Sequence, residues 1–387
     1  MTEREVVLIG NFLPDRQESM VRFGQLLEEG LRARDWKVQI WQPKPRFANL
    51  AGTYRYGGIP KYLGYLDKFL VFPRTLRRRL RTASRKTAYH IVDHSNAVYA
   101  RALRGEHVLV TCHDLLQIRS ALGEFPQHRV SKSGRKYQEW ILNSLREAPK
   151  VVCISGKTRK DLQRLAALSD DKTPVIYMGL NYPYRPMDRA EATALARTCF
   201  ERQGHSWSEL AALADGFLIG IGGAHWYKNR TGLVATFAAM QSRTQSPKRL
   251  VYVGPAFDDE QRTVLQRANL EPAILRLTGV SNEELRALYS LARALLFPSW
   301  EEGFGWPIAE AQACGCPVFT SNREPMTEIG GEAAVYVDPA DPEASADIIM
   351  RSWSETDRMR AQGLRQADQW STDRMLADYE RVYQENG

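Results

Sequence analysis

Short apolar runs alternate along this chain with longer stretches in which apolar residues recur every three or four positions. Residues 6–10 (Val-Val-Leu-Ile-Gly) predict a strand, residues 21–34 a helix with Phe23, Leu26, Leu27 and Leu31 on one face, and residues 37–41 a second strand. Strand, helix and strand in that order open a parallel α/β sheet. Residues 90–94 and 108–114 read as further strands that end in polar residues. A helix over 136–148, a strand over 151–155, a helix over 157–168 and an apolar stretch over 175–181 close a first domain. The chain is rich in Pro and Tyr over 182–188, which suits a crossing between domains. The alternation then restarts. Strands are predicted over 217–223, 250–254, 274–279, 294–297, 317–321 and 334–337, with helices over 231–240, 283–292 and from 342 onward. Asp258-Asp259 reads as a helix start.

Composition adds the domain count. A chain of 387 residues with 43% hydrophobic content is long for one core, and two domains are expected. No run of eighteen apolar residues occurs, so no membrane span is expected. The first residues, MTEREVVLIGNF, carry acids and lead straight into a strand, unlike a signal peptide. The five cysteines (Cys112, Cys153, Cys199, Cys314, Cys316) are odd in number and lack metal spacing, so they read as reduced thiols of a cytoplasmic protein. Cys314-Gly315-Cys316 suggests redox chemistry, against which stands ordinary packing after a helix.

Charge is uneven. Residues 1–180 hold 32 Lys and Arg against 17 Asp and Glu, and the remainder 21 against 28, so the net +8 hides a strongly basic first half. Such asymmetry points the first half at something anionic. Its densest part is residues 62–86. Tyr62, Leu63, Tyr65, Leu66, Phe69, Leu70 and Phe72 supply apolar bulk, and Arg74, Arg77, Arg78, Arg79, Arg81, Arg85 and Lys86 follow. An apolar–aromatic segment joined to a polybasic helix suits an anionic membrane surface; the alternative is a solvated helix face. No recognisable nucleic-acid module accompanies the run, and nucleic acid is not an expected partner.

The chemistry concentrates between residues 294 and 318. An apolar strand breaks at Pro298-Ser299, a loop follows with Gly303 and Gly305, and a helix opens at Pro307. A strand–loop–helix junction of this kind aims backbone N–H groups and the positive end of a helix dipole at one point, which makes an anion site. Glu302 and Glu310, eight positions apart, flank it. The string Pro298-Ser299-x-x-Glu302-Gly303-Phe304-Gly305-x-Pro307-x-x-Glu310-Ala311-x-Ala313-Cys314-Gly315-x-Pro317-Val318 resembles, nearly residue for residue, the signature of the retaining glycosyltransferases of family 4.

That resemblance implies the GT-B fold, an α/β architecture of two Rossmann-like domains facing each other across a deep cleft. It implies an acceptor-binding domain over residues 1–182, a nucleotide-sugar domain over 183–370, and a C-terminal helix over 371–387 that crosses back to the first. The donor would meet the loop of Gly303, Phe304, Gly305, Trp306 and Pro307. Glu310 would accept from the ribose hydroxyls and Glu302 would contact the hexose. Gly279 and Val280 would meet the base, and Gly223 would lie beside the phosphate-binding Lys228. His113, at a strand end, would contact the donor sugar, and His94 has a similar placement. Asp15, Arg16 and Ser19 lie in the loop after the first strand, where open α/β sheets bind ligands, although the Gly-Gly pair common in the family is absent there. Many relatives have an arginine where this chain has Gly222, which leaves the second cation unassigned, with Arg230 a weak candidate.

The expected activity is retaining transfer of a hexose from a UDP- or GDP-linked sugar to a hydroxyl of a glycan or lipid-linked acceptor, without a metal or other cofactor. The alternatives are an epimerase of the same fold and a non-catalytic sugar- or anion-binding protein. The expected location is cytoplasmic, peripheral at the inner face of the membrane.

Overall fold

The computed structural model describes residues 4–51, 58–83, 87–206, 216–244 and 249–385. The chain divides into two compact units, Met1–Asn181 with Thr372–Gly387, and Tyr182–Ser371.

The first unit contains β1 (Glu5–Ile9), α1 (Glu18–Arg32), β2 (Lys37–Trp41), α2 (Gly58–Leu66), α3 (Phe72–Leu80), β3 (Ala88–Ile91), β4 (His107–Cys112), α4 (Leu116–Ala121), α5 (Lys132–Glu147), β5 (Lys150–Cys153) and α6 (Gly156–Ala166). Its five strands are all parallel in the order β2-β1-β3-β4-β5. The inner strands are buried along nearly their whole length, as a parallel sheet covered on both faces requires, whereas edge strand β2 buries only Val38 and Trp41. One expectation is corrected here. The strand expected over 90–94 ends at Ile91, because Asp93 caps a 3-10 turn over His94–Leu103 by accepting from Ser95 N. The 175–181 stretch pairs with the sheet only through a bridge from Cys153 to Val175.

The second unit contains α7 (Arg189–Arg202), β6 (Leu218–Ile221), α8 (Arg230–Arg243), β7 (Leu250–Val253), α9 (Asp259–Arg267), β8 (Ile274–Leu277), α10 (Asn282–Leu291), β9 (Ala294–Phe297), α11 (Trp306–Ala313), β10 (Val318–Ser321), α12 (Met326–Gly330), β11 (Ala334–Val337), α13 (Pro342–Arg351) and α14 (Thr356–Ala367). Its six parallel strands lie in the order β11-β10-β9-β6-β7-β8. Asp258 does start α9, through a capping box with Gln261. The sequence pattern misses α7, whose buried face is Ala192, Ala196, Cys199 and Phe200, mostly too small to register as an apolar stripe.

Topology places the ligand-binding edges. In the second unit the chain runs outward from β6 to β8 and then returns to β9 on the other side of β6. The order therefore reverses between β6 and β9, and the crevice outside the carboxyl ends of those two strands is where an open α/β sheet binds its ligand. In the first unit the reversal falls between β1 and β3.

The last helix, α15 (Thr372–Gln384), completes the first unit. It buries Met375, Leu376, Tyr379, Val382 and Tyr383. Gly30 lets it approach α1, since a Cβ there would lie 2.3 Å from Leu376 Cδ1. At the interior end, His90 Nδ1 lies 2.8 Å from Tyr383 Oη and Nε2 2.7 Å from Thr111 Oγ1, which is itself 2.8 Å from Tyr379 Oη. Burial, and then the nearby His113, push His90 down to about 3. Unfolded histidine titrates near pH 6.5. Below about pH 6.5 the unfolded chain thus binds a proton that the folded state refuses, and stability falls as pH drops from there toward 3. The limiting slope is about 1.4 kcal/mol per pH unit for one ring. The urea midpoint should fall between about pH 7.5 and about pH 5, and His90→Gln should flatten that fall; an equal fall in the variant would contradict the assignment.

Candidate active site

Two loops leave the carboxyl ends of the strands that flank the reversal in the second unit. The β6 loop carries Gly222, Gly223 and Lys228; the β9 loop carries Glu302 to Pro307. Lys228 Nζ donates to both oxygens of Glu302 at 2.8 Å, with the lysine side chain 18% and the glutamate 7% exposed. The ammonium also lies 5.5 Å from the ring centres of Tyr227 and Phe297. A cation and a carboxylate, separated by 74 positions in sequence, thus meet immediately before the glycine turn.

Backbone and amide contacts hold that meeting in place. Trp300 N donates to Tyr227 O at 2.8 Å and joins the two loops directly. Asn229 takes the left-handed conformation (φ 48°), caps α8 by accepting from Gly232 N, and donates to Pro298 O at 2.8 Å and Pro339 O at 3.1 Å. On the far side, Thr320 Oγ1 donates to Phe297 O and Ser321 Oγ to Ser299 O. Beneath the β6 loop, Tyr252 Oη donates to Gly222 O at 2.7 Å. Gly254 permits this closeness, because a Cβ there would sit 2.3 Å from Gly222 O. Asn229 and Tyr252 are positioning residues that sequence reasoning missed. The signal for Asn229 was its place after Lys228 and three residues before a glycine in the first turn of a helix.

Gly305, at φ 102°, is the N-cap of α11. Pro307 has no N–H, and Ile308 N donates to Gly305 O. Phe304 is turned inward: it is buried, edge-on to Trp370 at 5.6 Å, so only its backbone is placed for a ligand. Trp306 and Pro307 are half-buried. Glu310 lies one turn into α11 and is buried, with Tyr289 Oη donating to Oε2 at 3.2 Å. Burial, then the Glu310 charge, push the Tyr289 phenol well up, so it remains a donor. At the carboxyl edge of the same sheet, Gly279 is exposed at φ 58° with nothing within 4 Å of where a Cβ would point, and Val280 follows it half-buried. Gly223 is exposed.

Arg230, the weak candidate for the second cation, is buried, donates through Nη2 to Ala256 O at 2.9 Å and to Gln261, and lies over the rings of Tyr252 and Phe257, while its Nη1 has no hydrogen-bond partner among the described residues. The redox reading of Cys314 and Cys316 fails on burial. Both are buried, and burial first pushes both thiols up, Cys316 to about 12.

In the first unit, the reversal between β1 and β3 is spanned by Asn11, whose Nδ2 donates to Asp93 Oδ2 at 2.5 Å. Asp93 also accepts from Ser95 N and Oγ, and its carboxyl lies 3.5 Å from His94 Nδ1. Burial alone would raise its pKa; His94, His113 and the Ser95 bonds outweigh that and leave it lowered. His113 follows β4 and is buried, with its ring edge-on to Phe23 at 4.9 Å. Its Nε2 lies 2.8 Å from Val92 O, and a carbonyl only accepts, so Nε2 carries the proton. Burial leads in lowering its pKa, so the neutral ring presents Nδ1 as a lone pair. Asp15 is engaged by Lys68 Nζ at 2.6 Å, both side chains being under 10% exposed, while Arg16 and Ser19 are exposed.

Among the described residues no group of three or more His, Cys, Asp or Glu is placed to hold a metal ion. Nor is any helix there long and apolar enough to cross a membrane.

Two Rossmann-like parallel sheets in one chain, with a cation, a carboxylate and a glycine turn at the reversal point of the second, define a GT-B enzyme. Known proteins agree with that fold over nearly the whole chain. Sucrose-phosphate synthase from Thermosynechococcus elongatus superposes with TM-score 0.75 at 20% identity, covering 99% of both chains. Anabaena HepE, solved in complex with UDP and glucose, superposes with TM-score 0.69 at 14% identity over 99% of this chain and 100% of its own. The chain belongs to the family 4 glycosyltransferases: residues 21–182 match the model described as Glycosyltransferase Family 4, and residues 216–355 that of Glycosyl transferases group 1. It is 27% identical over 299 residues to O-antigen chain mannosyltransferase B of Escherichia coli, covering 74% of each chain. The serotype-specific mannosyltransferase WbdA of Escherichia coli is 23% identical over 236 residues, which are 58% of this chain but 26% of that one. The protein is a glycosyltransferase.

Proposed function

We propose that the enzyme transfers a hexose, with retention, from a nucleoside diphosphate sugar to a hydroxyl of a glycan or lipid-linked glycan. Mannose is the first hexose to test, because the relatives above are named as mannosyltransferases. The observation that carries the reading is the Lys228–Glu302 pair set against the glycine turn at the reversal between β6 and β9.

As the glycosidic bond to phosphate breaks, negative charge grows on the departing diphosphate, and fixed donors stabilise it best. Lys228 and the amides of residues 303–306 would serve that charge. Glu302 would hold Lys228 in place before the donor arrives and contact the hexose hydroxyls afterwards. Glu310 would accept from the ribose, beside the hydrogen bond it accepts from Tyr289. Gly279 and Val280 would meet the base through backbone atoms, and Gly223 would leave room for the phosphates. In the first unit, His113 would accept from a donor-sugar hydroxyl at Nδ1, and Asp15, Arg16 and Ser19 would border the acceptor. The leaving phosphate would take the acceptor proton, so no metal or other cofactor is assigned a role.

A thermal-shift screen of GDP-mannose, UDP-glucose and ADP-glucose tests the donor, since a ligand that binds the folded state raises its apparent stability. One of them should raise the melting temperature, and Glu310→Ala should weaken that nucleotide about tenfold, the loss of one charge-assisted hydrogen bond. Unchanged affinity would remove Glu310 from the ribose.

A further inference from the structure

Helix α2, a π-helical turn over Asp67–Val71, and α3 form one helical rod whose polarity is inverted over its first half. Two of its charged residues face inward and four of its large apolar residues outward. Asp67 is 1% exposed and accepts from Phe47 N and Ala48 N; Lys68 is 5% exposed and donates to Asp15. Ile59, Tyr62, Leu66 and Leu70 are 74%, 66%, 40% and 48% exposed. The inner face is already filled. Tyr65 and Phe69 pack on Tyr137 and Trp140 of α5, and Phe72 packs on Tyr99. Steps of three or four carry the outer stripe from Leu70 to Arg74, then Arg77 and Arg78, then Arg81, all exposed. The sequence reading therefore needs a correction: of the apolar residues it assigned to this surface, Tyr65, Phe69 and Phe72 belong to the interior. Arg79 also differs, lying over the Trp41 ring at 5.1 Å and lining a cavity of about 340 Å³ with Asn11, Gln42 and Lys44. Arg85 and Lys86 lie outside the described residues.

We propose that this face, Ile59, Tyr62, Leu66 and Leu70 continued by Arg74, Arg77, Arg78 and Arg81, docks on an anionic lipid bilayer, with the apolar half entering the interface and the arginines on the headgroups. The occupant follows from charge. Residues 72–81 hold no acid, and the first 180 residues carry 32 bases against 17 acids, so an anionic surface complements the whole face. A second copy of the chain, docked through the same patch about a twofold axis, would gather these arginines into one interface without acidic partners. The proposal is independent of the donor chemistry above.

The test is co-sedimentation of the full chain with vesicles of phosphatidylcholine alone and of phosphatidylcholine mixed with phosphatidylglycerol, at low and high salt. Wild type should bind the anionic vesicles. Arg77→Gln/Arg78→Gln/Arg81→Gln should weaken that binding by about fivefold per arginine, roughly a hundredfold together. Leu66→Gln/Leu70→Gln should weaken it about tenfold and remove the part that survives high salt. All five positions are exposed, so unchanged melting temperatures serve as the folding control. Failure of folded wild type to bind, or binding by the leucine variant equal to wild type, overturns the proposal. So does a dimer in sedimentation velocity that the leucine variant abolishes while vesicle binding is absent.

Discussion

Lys228→Ala is expected to lower kcat/KM for glycosyl transfer by about 10²–10³-fold, the loss seen when one preorganised donor to developing charge is removed. The same substitution leaves the Glu302 carboxylate 7% exposed without its counter-ion. Breaking a buried pair from one side costs about 3 kcal/mol or more, so the variant should also melt lower. The two effects separate in a double variant. Lys228→Met/Glu302→Gln removes both charges and should regain most of the stability while remaining inactive. A single lysine variant within threefold of wild-type turnover would end the assignment of Lys228.

Removing residues 372–387 should prevent the first unit from folding. Met375, Leu376, Tyr379, Val382 and Tyr383 are each at most 5% exposed. Burying such side chains contributes about 1.5–3 kcal/mol apiece, or roughly 10 kcal/mol together, comparable to the whole stability of a domain. Their loss would also leave His90 and Thr111 facing a void with unpaired polar atoms. Limited proteolysis reads the outcome: the truncated chain should be cut rapidly within the first unit, while the second unit, which has its own core, resists. A truncated chain with the wild-type digestion pattern would show α15 to be dispensable. Tyr383→Phe is the mild form of the same test, removing one hydrogen bond at a cost of about 1 kcal/mol.

Much of this arrangement is legible in the sequence because parallel, doubly covered strands must be continuous apolar runs. Residues 294–297, buried throughout, are read to the residue for that reason; 37–41 and 334–337 match to the residue as well, although they form edge strands that are only partly buried. The glycine turn is legible too, since Gly305 stands where a left-handed N-cap demands it. Other features depend on contacts that no local pattern records. The Lys228–Glu302 pair exists because the sheet reverses between β6 and β9, a property of strand order. Arg230 and Glu310 read as ligand groups in sequence, yet Gln261 and Tyr289, each over twenty positions from its partner, hold them in part. On the 58–80 rod the period itself shifts. A π turn over Asp67–Val71 adds about one residue to a helical turn, and apolar composition alone assigns no face, so it does not separate the inward Tyr65, Phe69 and Phe72 from the outward residues.

The account turns on where a diphosphate sits. The most direct measurement is a crystal structure of the enzyme with the nucleoside diphosphate of its tightest donor. It should place the diphosphate oxygens within hydrogen-bonding distance of Lys228 Nζ and of the amides of residues 303–306. A diphosphate bound elsewhere, with Lys228 still holding both oxygens of Glu302 and touching no phosphate, would contradict it.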